Sequence, residues 1–486
     1  MTAVHPLMVS LLTAGMLLAF RKNRWAMRLL SLAGGLVHLG ISIQLFREPS
    51  GMLQLGSWPA PFGISFLADR FATMMVLVAS IIGLAVLITS WIDVESREEK
   101  LGFHPMVHVL MTGVCGAFLT HDLFNLFVWF EVMLMASFVL LGLGEKRVQV
   151  SGALRYFALN LVSSLFFLSA VGLLYGWLGT LQMSDIAIRL AQTEERGLLL
   201  GIGALLFLAF AIKAALFPVF AWLPVSYPMP SFGVSALFAG LLTKVGVVAM
   251  VRFYCLLPAD STLQSFIIFA GLATMVVGVL CAIGQSTIRR ILSFHIVSQV
   301  GYMVLALGLF NGLGLTACLF YLIHHILVKA NLFLVGGIVH RIQGSEKVQE
   351  CGGLASAYPW LAFLFWIPAL SLAGLPPLSG FWAKLLVIRT GLDQGNFSAV
   401  GVALAVGLLT LLSMIKIWNE VFWKPLPERT EPPPSRRTLA ILAAPSVALG
   451  LLTILLGVFA QTGIEWSDQA AQELRPQVVL LEEPAE

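Results

Sequence analysis

Long apolar runs separated by short polar loops fill the 486-residue chain. About fourteen of them reach the roughly 20 residues that a helix needs to cross about 30 Å of hydrocarbon. They extend from 5–20 through 122–144, 198–218, 231–255, 312–340 and 357–390 to 438–461. The runs are continuous and lack the two-residue alternation of a membrane barrel, so the pattern predicts an all-α polytopic membrane protein. The opening stretch MTAVHPLMVSLLTAGMLLAFRKNR carries its positive charges after the apolar segment. A secretory signal has the reverse order, so this stretch is expected to be the first spanning helix, entering from outside. The chain then divides into helices one to three (1–103), five helices over 104–255 and five more over 262–423. A last helix with an acidic outer tail (424–486) completes it, the tail being solvated or in contact with a neighbour.

Composition excludes a soluble surface, with 58% hydrophobic and 11% charged residues and a mean hydropathy of +0.91. A formal charge of +4, spread over short loops, gives no nucleic-acid footprint. Cys115, Cys255, Cys281, Cys318 and Cys351 show no C-x-x-C spacing and mostly lie in apolar runs. They read as buried thiols, with no disulfide, metal cluster or cofactor implied. Loop arginines and lysines alternate in density along the chain: seventeen fall in one set of loops and six in the other. The positive-inside rule assigns the richer set, from Arg21 to Arg437, to the cytoplasm and both termini to the outside.

Charge inside the runs changes the picture most. Glu131, Lys213, Lys244, Lys329 and Lys384 each lie within a long apolar segment. A charged side chain at a helix centre costs about +2.5 to +3.5 kcal/mol even on lenient insertion scales. Five of them point to titration or charge steering along an internal polar path. Two runs are also too long for simple helices: 197–231 carries Pro218, Pro224, Pro228 and Pro230, and 358–391 carries Pro376 and Pro377. Both are expected to break, and broken backbone within a bilayer is tolerated only against protein or water. The breaks fall in spans seven and twelve, an odd offset that matches two inverted five-helix repeats.

These residues resemble a known family. Asp122-Leu-Phe-Asn-Leu-Phe-Val-Trp-Phe-Glu131, Lys213-Ala-Ala-Leu-Phe-Pro218, Leu241-Leu-Thr-Lys244, His325 with Lys329, and Gly374-Leu-Pro-Pro-Leu-Ser-Gly-Phe-Trp-Ala-Lys384 are similar to the antiporter-like subunits of respiratory complex I, membrane hydrogenases and Mrp cation/proton antiporters. The likeness covers about spans four to thirteen. Arg290-Ile-Leu-Ser-Phe-His295-Ile-Val-Ser-Gln299 and the chain length give it the character of the D-type Mrp subunits. Complex I relatives follow the Trp-Leu-Pro of span seven with Asp-Ala-His, whereas Trp222-Leu-Pro224 is followed here by Val225-Ser226-Tyr227.

The resemblance implies that Glu131 and Lys213 form a charge pair, that Lys244 is the central carrier and Lys384 the terminal one, and that His325 and Lys329, at i and i+4, bridge them. Ser137, Ser298, Gln299 and Ser379 are expected to help fill the gaps. Lys416, near a span end, reads as a snorkelling side chain. His121 and Asp122 read as span-end caps, and His295 and His340 stay open between carriers and packed core histidines. The implied protein is a multi-pass subunit of the bacterial inner membrane. It would work beside other membrane subunits in exchanging Na+ or K+ for protons. The sequence offers no Walker loop or dinucleotide fingerprint, so an ion gradient or a partner must supply the energy. The alternatives are a proton-pumping module of a complex I or hydrogenase assembly, which would make it part of a redox translocase, and a non-conducting scaffold.

Overall fold

The computed structural model describes residues 2–58, 61–192, 196–257, 260–426 and 433–474. Among these, eleven helices are long and apolar enough to cross a membrane, and three shorter apolar helices, His5–Ala19, Phe103–Leu119 and Pro359–Ala373, accompany them. The all-α expectation has one exception among the described residues. A two-stranded antiparallel ribbon pairs Gly51–Gln54 with Ser65–Ala68, in the loop after helix Arg24–Arg47. Arg429 and Arg475 of the charge tally, and the tail beyond Leu474, lie outside the described residues.

Helix Phe232–Tyr254, which carries Lys244, is buried on all sides, and helices Ile288–Gly308 and Gly312–Gln343 nearly so. Helices Arg24–Arg47 and Arg436–Val458 leave most of their residues facing outward. A helix that is apolar all round belongs in the centre of a bundle, and these three central helices also hold buried Lys244, His295, His324, His325 and Lys329. Small residues bring backbones together where helix Ser261–Ile283 lies along Ile288–Gly308. A Cβ on Gly278 would stand 2.5 Å from the Ser298 nitrogen, and one on Gly301 would stand 2.6 Å from the Met275 nitrogen. Close approach of this kind supplies the dispersion contacts that hold membrane helices together.

Both expected interruptions are present. Helix Arg196–Ala214 stops, one short turn Trp222–Ser226 follows, and helix Phe232–Tyr254 then begins. Helix Pro359–Ala373 stops and Ser379–Asp393 resumes, with Gly374 at φ 95°, a conformation that favours glycine. The freed backbone groups find partners inside the protein. The Trp222 indole donates to the Ile212 carbonyl at 2.9 Å, Thr274 Oγ1 accepts the Phe217 N–H at 3.0 Å, and Lys384 Nζ donates to the Ala373 carbonyl at 2.8 Å.

Ion pairs sort the loops into two ends. One, the arginine-rich end, holds Arg24 and Arg28 on Glu99, Arg97 on Glu145 and Arg289 on Glu346. The opposite end holds Arg70 on Glu473, Arg189 on Asp185 and Arg252 on Asp69. Burial pushes the Glu99 carboxyl up, but hydrogen bonds from His104, Arg28 and Arg24 outweigh it and hold the group below the usual carboxylate range. Behind Glu99, Ser31 Oγ lies 3.1 Å from His108 Nε2 and 3.2 Å from His104 Nδ1, a polar clamp between the first helices. Lys146 and Gln461 belong to opposite ends. Cysteines placed there are expected to react with an impermeant thiol reagent from opposite faces of a vesicle, and reaction from the same face would contradict the arrangement.

The described part of the acidic tail, up to Leu474, departs from expectation. Residues Ala460–Leu474 form a helix that packs on Gly312–Gln343 instead of extending into solvent. Gly463, Ser467, Ala470, Ala471 and Leu474 are spaced to give it one buried face, and its acids, Glu465, Asp468 and Glu473, lie elsewhere around the helix. Trp466 meets Phe46 edge-on with ring centroids 5.2 Å apart, and Asp468 Oδ1 accepts the Thr316 hydroxyl at 2.9 Å.

Candidate functional site

Glu131 projects from helix Leu123–Gly142, and Lys213 from the last turn of helix Arg196–Ala214, beside the first break. They are joined through a third residue. The Ser164 hydroxyl donates to Glu131 Oε1, and Lys213 Nζ lies 3.4 Å from the same hydroxyl and 3.5 Å from the Asn160 carbonyl. Lys213 also stands 5.4 Å from the centroid of the Phe130 ring. Glu131 is only half-buried. It sits in a stripe of exposed side chains, Phe124, Val128, Met135 and Val139, that runs along the outer face of its helix.

Lys244, Lys329 and Lys384 form the second part of the row. The first two are completely buried and Lys384 nearly so. Lys244 Nζ donates to the Ala239 carbonyl, Lys329 Nζ to the Leu292 carbonyl at 3.0 Å, and Lys384 Nζ to the Ala373 carbonyl. Ala373 ends the first half of the broken helix, where unpaired carbonyls and the negative end of the helix dipole collect, so the break itself makes a seat for an ammonium group. Tyr302 adds its ring face, 5.2 Å from Lys384 Nζ. Among the described residues no carboxylate forms an ion pair with any of these three lysines.

Histidines connect them. His325 lies within electrostatic reach of Lys244, Lys329, His324 and His295, and neither of its ring nitrogens has a hydrogen-bond partner among the described residues. His295 faces Lys329 and Lys384 and places Nε2 2.8 Å from the Ser413 hydroxyl. His324, which the sequence reading passed over, places Nδ1 2.9 Å from Ser379 Oγ and lies within electrostatic reach of Lys384. All six residues singled out from the sequence are therefore internal or partly so, but they fall into two groups. Glu131 and Lys213 make one, while Lys244, His325, Lys329 and Lys384 make the other. No hydrogen bond or ion pair joins Lys213 to Lys244 among the described residues. Their helices nevertheless touch, because a Cβ on Gly246 would lie 2.7 Å from the Ala214 nitrogen.

Of the expected gap-fillers, Ser379 joins His324 and Gln299 accepts the Tyr321 hydroxyl at 2.6 Å. Ser137 and Ser298 instead bond Tyr156 and the Met275 carbonyl, away from the row. Ser164, Asn160 and His324 are the residues that sequence reasoning missed. The only signals were the i, i+4 spacing of Asn160 and Ser164 and the adjacency of the two histidines. Asp122 caps its helix through the Asn125 N–H at 2.7 Å, as expected, and His121 holds Ser184 at 2.7 Å. Lys416 does not snorkel to an interface. Its ammonium donates to the Ile283 and Gln285 carbonyls at 2.8 and 2.7 Å, capping the end of helix Ser261–Ile283, where unpaired carbonyls attract a cation.

Comparison with known proteins accords with this geometry. Residues 120–411 match the family described as NADH:quinone oxidoreductase/Mrp antiporter, TM. The D-type Na+/H+ antiporter subunit of Alkalihalophilus pseudofirmus is 41% identical, over 99% of this chain and 98% of its own. That of Bacillus subtilis is 37% identical over 97% and 96%. A chain in the solved structure of the Mrp complex from Dietzia sp. DQ12-45-1b superposes with a TM-score of 0.92 at 34% identity, covering 99% of both chains. A chain of an archaeal membrane-bound sulfane sulfur reductase shares the fold, with a TM-score of 0.89 at 22% identity over 99% of both. A polytopic helical bundle with two broken helices and a row of buried lysines, matched end to end by such relatives, belongs to the NADH:quinone oxidoreductase/Mrp antiporter family, among its D-type antiporter subunits.

Proposed function

We propose that the chain is one subunit of a multisubunit antiporter that exchanges Na+ or K+ for protons across a bacterial cell membrane. In this reading the chain crosses fourteen times as two inverted repeats, with the arginine-rich end in the cytoplasm. Glu131, Lys213, Lys244, His325, Lys329 and Lys384 carry the protons. The observation that supports the reading is the absence of any carboxylate ion pair at Lys244, Lys329 and Lys384 among the described residues. A lysine held by a carboxylate is locked in its charged form. One with carbonyl acceptors and histidine neighbours, and no such carboxylate, is able to exchange a proton with its neighbours.

The Glu131 group controls the row electrostatically. Ser164 holds the carboxylate and the ammonium of Lys213 in one hydrogen-bonded unit, and its loosening changes the field felt at Lys244 across the Gly246 contact. The alternative, a pumping module of a redox translocase, is disfavoured by Val225-Ser226-Tyr227 after the Trp-Leu-Pro of the first break. The test is reconstitution. Everted vesicles holding the full set of subunits are expected to show cation-dependent pH changes, and vesicles holding this chain alone are expected to show none. Full exchange by the isolated chain would refute the subunit reading.

A further inference from the structure

At the arginine-rich end, helices Arg70–Asp93, Gly312–Gln343 and Arg436–Val458 surround a cavity of about 590 Å³. Its mouth carries Asp93, Glu95, His340 and Arg341. Asp93 Oδ2 accepts the Gly233 N–H at 2.7 Å and so caps the start of the Lys244 helix. His340 lies 5.3 Å from the Phe232 ring, and its buried Nδ1 has no hydrogen-bond partner among the described residues. Deeper in, Leu334 and Leu442 line the cavity.

Polar groups continue below it. Asn331 sits three residues from Leu334, one helical turn further into the bundle, and Ser446 sits one turn beyond Leu442 on the facing helix. Both are completely buried. The amide oxygen and nitrogen of Asn331 and the hydroxyl of Ser446 have no hydrogen-bond partner among the described residues. Asn331 is turned toward the Ser446 helix, since its Nδ2 lies 3.6 Å from where a Cβ on Gly450 would stand. His324 is seven residues from Asn331, two turns deeper on the same face, and its Nε2 is likewise without a partner. The Ser446 helix follows this line. Its Gly457 abuts the second break, where an added Cβ would stand 2.7 Å from the Ser379 nitrogen.

Buried polar atoms in membrane helices are paired with protein or with water. A file of them starting under an open cavity and ending at a histidine is arranged for water. We propose that the cavity, Asn331 with Ser446, and His324 with Ser379 form a hydrated side path that gives Lys384 its own proton access from the arginine-rich end, separate from Lys244. A proton passes along hydrogen-bonded water to Nε2 of His324, Nδ1 releases its proton through the Ser379 hydroxyl, and Lys384 in its amine form accepts it. The path rests on the role given to Lys384 above.

Thiol accessibility in the complete complex tests the path without depending on that role. In everted vesicles, Ser446→Cys and Asn331→Cys are expected to react with a small impermeant cationic thiosulfonate, above the background of the five native cysteines. Val447→Cys, on the outward face of the same helix at 41% exposure, is expected to stay near background, because no thiolate forms in lipid. Ser446→Val is expected to slow exchange several-fold and Ser446→Thr to keep it. Reaction at Ser446→Cys no faster than at Val447→Cys, or unchanged exchange in Ser446→Val, overturns the path and leaves the lysine relay standing. Normal exchange in Lys384→Met with a reactive Ser446→Cys would overturn the role of Lys384 and support the water path alone.

Discussion

Replacing Lys244 by arginine is expected to bring cation/proton exchange down to the level of vesicles without the complex, at matched protein abundance. Lysine and arginine carry the same charge and similar length, so a residue that merely holds charge tolerates the exchange. A relay residue does not, because guanidinium keeps its proton in any protein environment. The surroundings sharpen the expectation. Lys244 is completely buried, donates to the Ala239 carbonyl and lies within electrostatic reach of His325, whose two ring nitrogens have no hydrogen-bond partner among the described residues and so can take and pass a proton. Lys244→Ala is expected to match Lys244→Arg. Near-normal exchange in the arginine variant would show that the position fixes charge and relays nothing.

The second large loss is expected at Glu131. Glu131→Ala and Glu131→Gln should both abolish exchange while expression stays near normal, and Glu131→Asp should keep part of it. Glutamine preserves volume and still accepts a hydrogen bond from Ser164, so it removes only the negative charge that Lys213 answers across that hydroxyl. Ser164→Ala, which leaves both charges but removes the link, should fall between the parent and Glu131→Gln. The same vesicle assay reads all four variants. Full activity in Glu131→Gln would reduce the acid to a packing element.

Much of this site was legible in the sequence, because a bilayer exaggerates two signals. Charge in an apolar run is expensive enough to stand out at Lys213, Lys244, Lys329 and Lys384, and proline in such a run announces the breaks at Pro218 and Pro376. What escaped was everything cheap in a helix. A serine such as Ser164 satisfies its hydroxyl on the carbonyl one turn back, here Asn160, and so looks like any other helical serine until the fold places Glu131 against it. His324 was hidden by its neighbour His325, since adjacent residues face different sides of a helix and only the packing tells which side holds Ser379. The tail helix escaped because its buried face is mostly glycine, serine and alanine, which carry little weight in any hydropathy reading, while Gly463 fits closely against Phe320. Lys416 misled for the opposite reason: its acceptors, the carbonyls of Ile283 and Gln285, are backbone atoms that no side-chain pattern reveals.

The half-buried carboxyl of Glu131, set among Phe124, Val128, Met135 and Val139 on the outer face of its helix, also bears on how the protein is made. A newly inserted copy leaves part of this acid at the rim of the bundle, in the middle of a band of outward-facing apolar side chains. Such a copy is marked as an orphan by its own chemistry. On the function proposed above, a neighbouring subunit seated over this face would remove the mark, and the acid assigned to gating would then also tell a finished assembly from a stray chain.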